Sequence, residues 1–276
     1  MPPSRKEFSR QELENLYCGR GMTEDDIGDF FGCSSRTIGR RLKELGIPTR
    51  SVGPVSSVTV PLEHLCHWSP QLAYAVGLIA ADGNLNRDRV RVEFISTDYE
   101  LVELYRRALR IENAHVVFTK QHSRKSWYQV KLDDRLFREF LETLGLTPAK
   151  SKTLAALQIP DEMFPDFLRG LLDGDGSWYL SQSWLGRYTY LRVEVCSGSR
   201  NFIQWIAETV ERLNGLNGYL RARLFGRSYD LTFIGQKALA LGNWVYYSPT
   251  VFALSRKRRV YESMKNKGEL GEQSKF

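Results

Sequence analysis

The sequence predicts an α+β protein built from one unit used twice, behind a small all-α segment. Three observations predict it. Residues 74–83 read Y-A-V-G-L-I-A-A-D-G and residues 167–176 read F-L-R-G-L-L-D-G-D-G, two apolar helical runs with a mid-run glycine (Gly77, Gly170) and an Asp-Gly ending. The strings R-V-E-F-I-S (91–96) and R-V-E-V-C-S (192–197) match almost letter for letter and alternate apolar with polar residues, the period of a strand. The elements after each string also recur in one order, which makes the repeat a structural unit and not a chance motif.

Residues 7–47 alternate helical patterns with short breaks. Ser9 is a candidate N-cap for a helix through Tyr17, with Glu12 completing a capping box. Thr23 opens a second helix whose Ile27, Phe30 and Phe31 share a face. Gly32-Cys33-Ser34 turns the chain, and Ser34 or Ser35 caps a third helix ending at Gly46-Ile47-Pro48. Ile38, Leu42 and Leu45 fall at helical spacing, which leaves Arg36, Arg40, Arg41 and Lys43 outward. This is the helix-turn-helix pattern, so residues 1–50 are expected to bind DNA; a three-helix bundle with a solvated basic face is the bland alternative. Residues 51–60, rich in Ser, Gly and Pro, read as a linker.

The first copy is expected over residues 61–160 and the second over 161–265, with 266–276 as a disordered tail. In each copy the motif helix leads to one alternating run, a helix capped by Ser, Thr or Asp, two more strand-like runs and a last helix. The later strands fall near 115–122 and 127–132, then near 218–225 and 228–234; the last helices fall at 134–144 and 236–247. On these strands Arg89, Arg91, Gln129 and Lys131 answer to Arg192, Arg221, Arg223 and Thr232 on one polar face, with more Arg than Glu in both copies. A basic sheet face over an apolar underside suits a ribbon laid in a DNA groove, although an ordinary antiparallel sheet also has one wet face.

With 276 residues, 42% apolar content and 12% aromatic content, the chain can bury a sizeable core. A net charge of +7 favours a polyanionic partner. No apolar run is long enough to span a bilayer, and the first residues form no signal peptide. The four cysteines, Cys18, Cys33, Cys66 and Cys196, show no C-x-x-C spacing and read as buried thiols of a reducing compartment. A soluble protein of the cytoplasm or an organellar matrix is expected. His64, Cys66 and His67 lack a second ligand pair for zinc and read as packing residues, and His115 and His122 stand at background.

The small residues Gly77, Ala80 and Ala81, with Gly170 and Gly174, would let two helix backbones approach closely. Gly83 and Gly176 are expected as left-handed C-caps. Asp82 and Asp175 sit where a helix end already carries partial negative charge. Such a pair makes sense around divalent cations, and oxygen-only ligands favour Mg²⁺.

These two motifs, their spacing and the repeated R-V-E strands resemble the LAGLIDADG homing endonucleases in their single-chain form, over about residues 61–265. The resemblance implies αββαββα units with two DNA-facing sheets, and metal-dependent hydrolysis of both strands of a long, pseudo-symmetric DNA site by a monomer. It assigns the metals to Asp82 and Asp175. It asks for a basic residue near them after each repeat: Lys150 or Lys152 in the first copy, Lys257 beside Arg256 in the second. The sixth motif letter is Asp173 in the second copy but Ala80 in the first, so unequal half-sites are expected. The competing readings are a non-cleaving transcriptional regulator on the same scaffold and an RNA-splicing maturase.

Overall fold

Two apolar runs that expose backbone through their glycines are best buried against each other, and that pairing organises the molecule. The computed structural model describes residues 9–20, 22–49, 58–87, 90–120, 126–223 and 228–273, the last seven as backbone only. The first motif run is helix α5 (Pro70–Asp82), opened by Ser69, whose side chain accepts the Leu72 N–H at 3.1 Å. The second is α8 (Phe164–Gly174), with a proline in its first turn, where a missing N–H costs nothing. The two pack side by side at the centre of the main core.

The first motif helix runs straight into a strand, and the second does so after Asp175 alone. In the first copy β1 (Gly83–Leu85) pairs with β2 (Arg91–Ser96), β2 with β4 (Ser126–Asp133), and β4 with β3 (Val116–Lys120). In the second, β5 (Gly176–Gln182) pairs with β6 (Thr189–Ser197), β6 with β8 (Ser228–Ile234), and β8 with β7 (Tyr219–Arg223). Both sheets are four-stranded, fully antiparallel and ordered first, second, fourth, third. Helices α6 (Tyr99–Ala108) and α7 (Arg135–Thr143) back the first sheet, and α9 (Arg200–Asn214) and α10 (Gln236–Val245) the second. The αββαββα order thus occurs twice, and the α+β expectation holds.

The element-by-element reading missed β1 and β5. Both begin on the motif's terminal glycine, so the helical signal hides their start, and three residues of β1 are too few to show alternation. The left-handed caps expected at those glycines are also corrected. Gly83 has φ −76° and ψ 146°, ordinary extended backbone, and Gly176 is likewise outside the left-handed region. Glycine is needed there for space: a Cβ at Gly83 would lie 2.7 Å from the Ile79 Cα, and one at Gly176 2.5 Å from the Leu172 carbonyl oxygen.

Ahead of this pair lies a separate small core of Leu13, Leu16, Tyr17, Ile27, Ile38, Leu42 and Ile47. Helix α1 (Arg10–Glu14) is capped by Ser9 and widens into a π turn over Asn15–Gly19, so the helical path runs past the expected end at Tyr17. Thr23 and Asp26 close a reciprocal capping box on α2 (Glu24–Phe31), and Ser34 caps α3 (Ser35–Glu44). Phe30, expected on the buried face of α2, is 64% exposed.

Helix α4 (Leu62–Cys66) joins the two cores. Leu62 and Cys66 pack on the small core, whereas His64 and Leu65 face the large one. The His64 Nε2 lies 2.8 Å from the Ala108 carbonyl, and the Val60 N–H donates to Asp134 at 2.8 Å. Cys18 and Cys66 form a disulfide with Cα atoms 6.5 Å apart, a correction to the reading of all four cysteines as buried thiols. Forty-eight residues separate the two, so no spacing rule joins them; the fold does, by laying the π turn against α4. Cys33 is half-buried and Cys196 exposed, a further departure. The last helix, α11 (Ser255–Gln273), continues across most of the stretch expected to be a tail. Residues 51–57 of the expected linker and His122 lie outside the described residues.

Candidate metal and nucleic-acid site

The interface between α5 and α8 is built from the small residues the motif provides. A Cβ at Gly77 would overlap the Phe167 carbonyl oxygen, and one at Gly170 would overlap that of Tyr74. The two clashes are pseudo-symmetric mates, so neither helix can give way without the other. Farther along, Gly174 faces Ala81, and a Cβ on Gly174 would come within 3.4 Å of the Asp82 Oδ2. The Asp82 carboxylate therefore lies against the end of the opposite motif helix, beside Asp175.

Burial raises both acids. Asp82 is pushed up to about 6 by desolvation first and by the Asp175 charge second, opposed by Lys257 and then Lys150. Asp175 is raised by burial and opposed first by Lys150. The stronger cationic pull on each acid thus comes from the lysine that follows the other copy's motif.

The same lysines close the helix ends. The Lys150 Nζ donates to the Gly83 carbonyl at 2.6 Å. The Lys257 Nζ donates to the carbonyls of Leu172, Asp173 and Gly174 at 2.8, 2.6 and 3.1 Å. An ammonium among terminal carbonyls answers the negative end of a helix dipole. The acids therefore do not face that end uncompensated. Both lysines are buried and their pKa values lowered by desolvation, Lys257 to about 8. Lys152 is exposed, so of the two first-copy candidates only Lys150 reaches the acids.

Two cavities flank the carboxylates. One, of about 210 Å³, is lined by Asp175, Lys150, Ser151, Cys196, Ser197 and Gly198. The other, of about 430 Å³, is lined by Asp82, Ser96, Thr97, Asp98, Trp127 and Arg256. Each combines the terminal acid of one motif, the end of the strand from the same copy, and a basic residue from the other. The Cys196 Sγ donates to Asp230 at 2.7 Å, and partial desolvation of the sulfur with this acceptor pushes the thiol up to about 12. Among the described residues no three His, Cys, Asp or Glu side chains cluster as a metal site. The zinc reading of His64, Cys66 and His67 therefore finds no support.

The polar faces of the sheets differ from expectation. In the first, Arg91 is paired with Asp133 at 2.7 Å, and Lys131 stands opposite Glu93, so two basic and two acidic residues share the described face. Among the described residues this face is therefore balanced, with Asp133 offsetting Arg91. In the second, Arg192, Arg221 and Arg223 face Glu194 and Asp230. Arg223 pairs with both acids, Arg192 lies over the Tyr179 ring at 5.9 Å, and Arg221 is exposed. Arg89 lies outside the described residues. On α3, Arg36 and Arg40 are exposed, and Arg41 pairs with Glu44 at 2.9 Å.

Sequence reasoning missed two buried polar centres. Asp173, fully buried, accepts the Tyr74 hydroxyl and the Leu254 N–H, both at 2.8 Å. Arg169 binds the carbonyls of Phe252 and Val245 and the Asp166 carboxylate, at 2.6, 2.7 and 2.5 Å. A charged residue within an apolar motif run, with an acid three positions earlier, was the signal for the second.

No family model matches the chain. Among curated proteins it is 24% identical over 152 residues to the uncharacterized protein MJ0314 of Methanocaldococcus jannaschii, covering 52% of this chain and 55% of that one. It is 29% identical over 106 residues to an A-type ATP synthase component of Methanopyrus kandleri, covering 38% of this chain and 10% of that one. The chain thus spans about half of the first relative and a small part of the second. Among solved structures, the I-LtrWI LAGLIDADG homing endonuclease bound to target DNA aligns with a TM-score of 0.50 at 13% identity, over 74% of this chain and 91% of that one. The N-terminal LAGLIDADG domain of DUF199/WhiA aligns with a TM-score of 0.47 at 14% identity, over 70% and 88%. At such identities the likeness concerns the fold: two αββαββα units joined through their motif helices, the LAGLIDADG architecture.

Proposed function

We propose that the protein is a site-specific, divalent-metal-dependent endonuclease acting on double-stranded DNA. The observation that carries this reading is the retention of one carboxylate per motif, Asp82 and Asp175, together at the helix crossing with a buried lysine from each copy. Two carboxylates alone make no closed cage, yet they fit Mg²⁺, which is commonly held by one or two acids with the remaining positions left to water and substrate phosphate. Asp82 and Asp175 would hold it. When bound, the ion supplies the positive charge that acidifies water and stabilises a departing oxygen. Lys150 and Lys257 hold the motif ends in place, keep the acids ionised and set positive charge beside the phosphate. In the second sheet Arg221 and Arg192 would follow the DNA backbone, with Lys131 in the first. Arg36 and Arg40 on α3 would lengthen the contact as a helix-turn-helix.

One observation favours a non-cleaving DNA binder on the same scaffold. Three backbone carbonyls use all three donors of the Lys257 ammonium, which suits a structural brace as well as a catalyst. Cleavage decides between them. Purified protein with Mg²⁺ and a duplex made by rejoining the sequences that flank its gene should produce a double-strand break. Asp82→Asn and Asp175→Asn should abolish cutting and retain binding. Tight binding without cutting in Mg²⁺ or Mn²⁺ supports the second reading. Deleting residues 1–50 should shorten the footprint.

A further inference from the structure

The two halves of the site are braced differently, and the difference traces to one side chain. Asp173, at the sixth motif position, accepts the Leu254 N–H at 2.8 Å. Leu254 is the residue before α11, and its carbonyl accepts the N–H groups of Lys257 and Arg258 at 3.0 and 3.1 Å. The Lys257 side chain then returns to the Asp173 carbonyl at 2.6 Å and to those on either side. The result is a closed circuit: carboxylate to helix start, helix start to lysine, lysine to the backbone of the same aspartate. The Tyr74 hydroxyl donates to the same carboxylate oxygen from the opposite motif helix, which fixes the circuit to the centre of the interface.

The first copy has Ala80 at this position, whose methyl group can accept nothing. Its lysine lies in a single 3₁₀ turn, Lys150–Lys152, entered through Ala149 at φ 58°, a conformation costly for a residue with a Cβ. Lys150 meets the Gly83 carbonyl at 2.6 Å. One lysine is therefore pinned through a buried carboxylate and a long helix, the other through a short strained turn.

We propose that Asp173 is a positioning residue that fixes Lys257 in the second half-site, and that its absence at Ala80 makes the two strand cuts unequal. The second clause rests on the endonuclease reading; the first does not. Amine labelling read by mass spectrometry tests the first on the full chain. Losing a buried acceptor is worth about tenfold in an equilibrium, so Asp173→Ala should raise the Lys257 labelling rate about tenfold while Lys150 stays within about twofold. Asp173→Asn, which keeps an acceptor, should raise it less than about threefold. If the alanine variant has no cooperative melt, Asp173→Leu, which fills the volume, carries the same expectation. Unchanged protection of Lys257, or a parallel rise at Lys150, overturns the assignment.

Strand-resolved cutting of an end-labelled duplex with Mg²⁺ tests the second clause. Asp173→Ala should slow one strand about tenfold more than the other, with little further loss when added to Lys257→Met. Equal slowing of both strands overturns it. A wild type that cuts neither strand removes the endonuclease reading and the strand inequality with it, and leaves the labelling result to decide the positioning role.

Discussion

The two copies share a backbone and differ in what they bury. In the first, α5 buries no charged side chain between Leu72 and Ala80, and position 76 is valine where the second copy has Arg169. In the second, α8 encloses Arg169 with Asp166, and Asp173 with Leu254 and Tyr74. The contact itself is symmetric, each mid-helix glycine meeting the other helix's carbonyl. Close approach of backbones is thus specified twice, whereas polar bracing is specified once. Duplication supplied the frame, and the second copy carries the fixed polar framework on which both motif helices rest.

The largest expected effect tests the symmetric part. Gly77→Val and Gly170→Val should each abolish the cooperative thermal transition, since a side chain at either position must displace backbone, and the two should be equally damaging. A folded Gly77→Val variant beside an unfolded Gly170→Val would break the symmetry argument.

Next comes the buried polar framework. Arg169→Ala leaves Asp166 charged and short of its main partner, and should cost about 3–5 kcal/mol in urea unfolding. Val76→Ala at the matching first-copy position should cost about 1–3 kcal/mol. Equal losses would show that the arginine adds only volume.

A third test turns on pH. Asp82, with a folded pKa of about 6 against an ordinary 3.8, keeps its proton in the folded protein where the unfolded chain has lost it. Stability should therefore fall as pH rises from about 4 to about 6, by up to about 3 kcal/mol for this group. Asp82→Asn should recover that amount at pH 7 and nothing at pH 4. Mg²⁺ should stabilise the wild type at pH 7 and leave the variant less affected. A metal response identical in the two proteins would remove Asp82 from the ion's surroundings.

The smallest expected effect concerns the sheets. Arg91→Ala should change stability by less than about 1 kcal/mol, because its partner Asp133 is half exposed. It should also weaken DNA binding less than Arg221→Ala, whose side chain is exposed. Affinities across a salt series would show this, and the reverse order would make the first sheet the stronger contact.

Much of this was legible in the sequence, for reasons that separate local from distant physics. Thr23, Ser34 and Ser199 cap helices through bonds to residues three positions on, so their role is written beside them. The strings at 91–96 and 192–197 became the inner strands β2 and β6 because alternation survives wherever one face is buried. What could not be read depends on contacts across the chain. Nothing near Lys150 distinguishes it from Lys152; the distinction appears only when β1 brings the Gly83 carbonyl within reach. Asp133 looks like any strand-end acid until β4 lies beside β2 and cancels Arg91. The Asp173 circuit joins residues 81 positions apart, beyond any local pattern.

The Cys18–Cys66 bridge makes the chain a closed ring between those two positions. A protease that cuts once anywhere inside the ring severs the backbone without parting the pieces. On a gel without reductant such a protein would run as one band, and with reductant as two. A ring of this size also restricts the unfolded chain, worth about 4 kcal/mol in the chain-entropy treatment. The helical segment at the front is therefore held to the rest of the molecule by a link that outlasts a broken peptide bond and yields to a thiol.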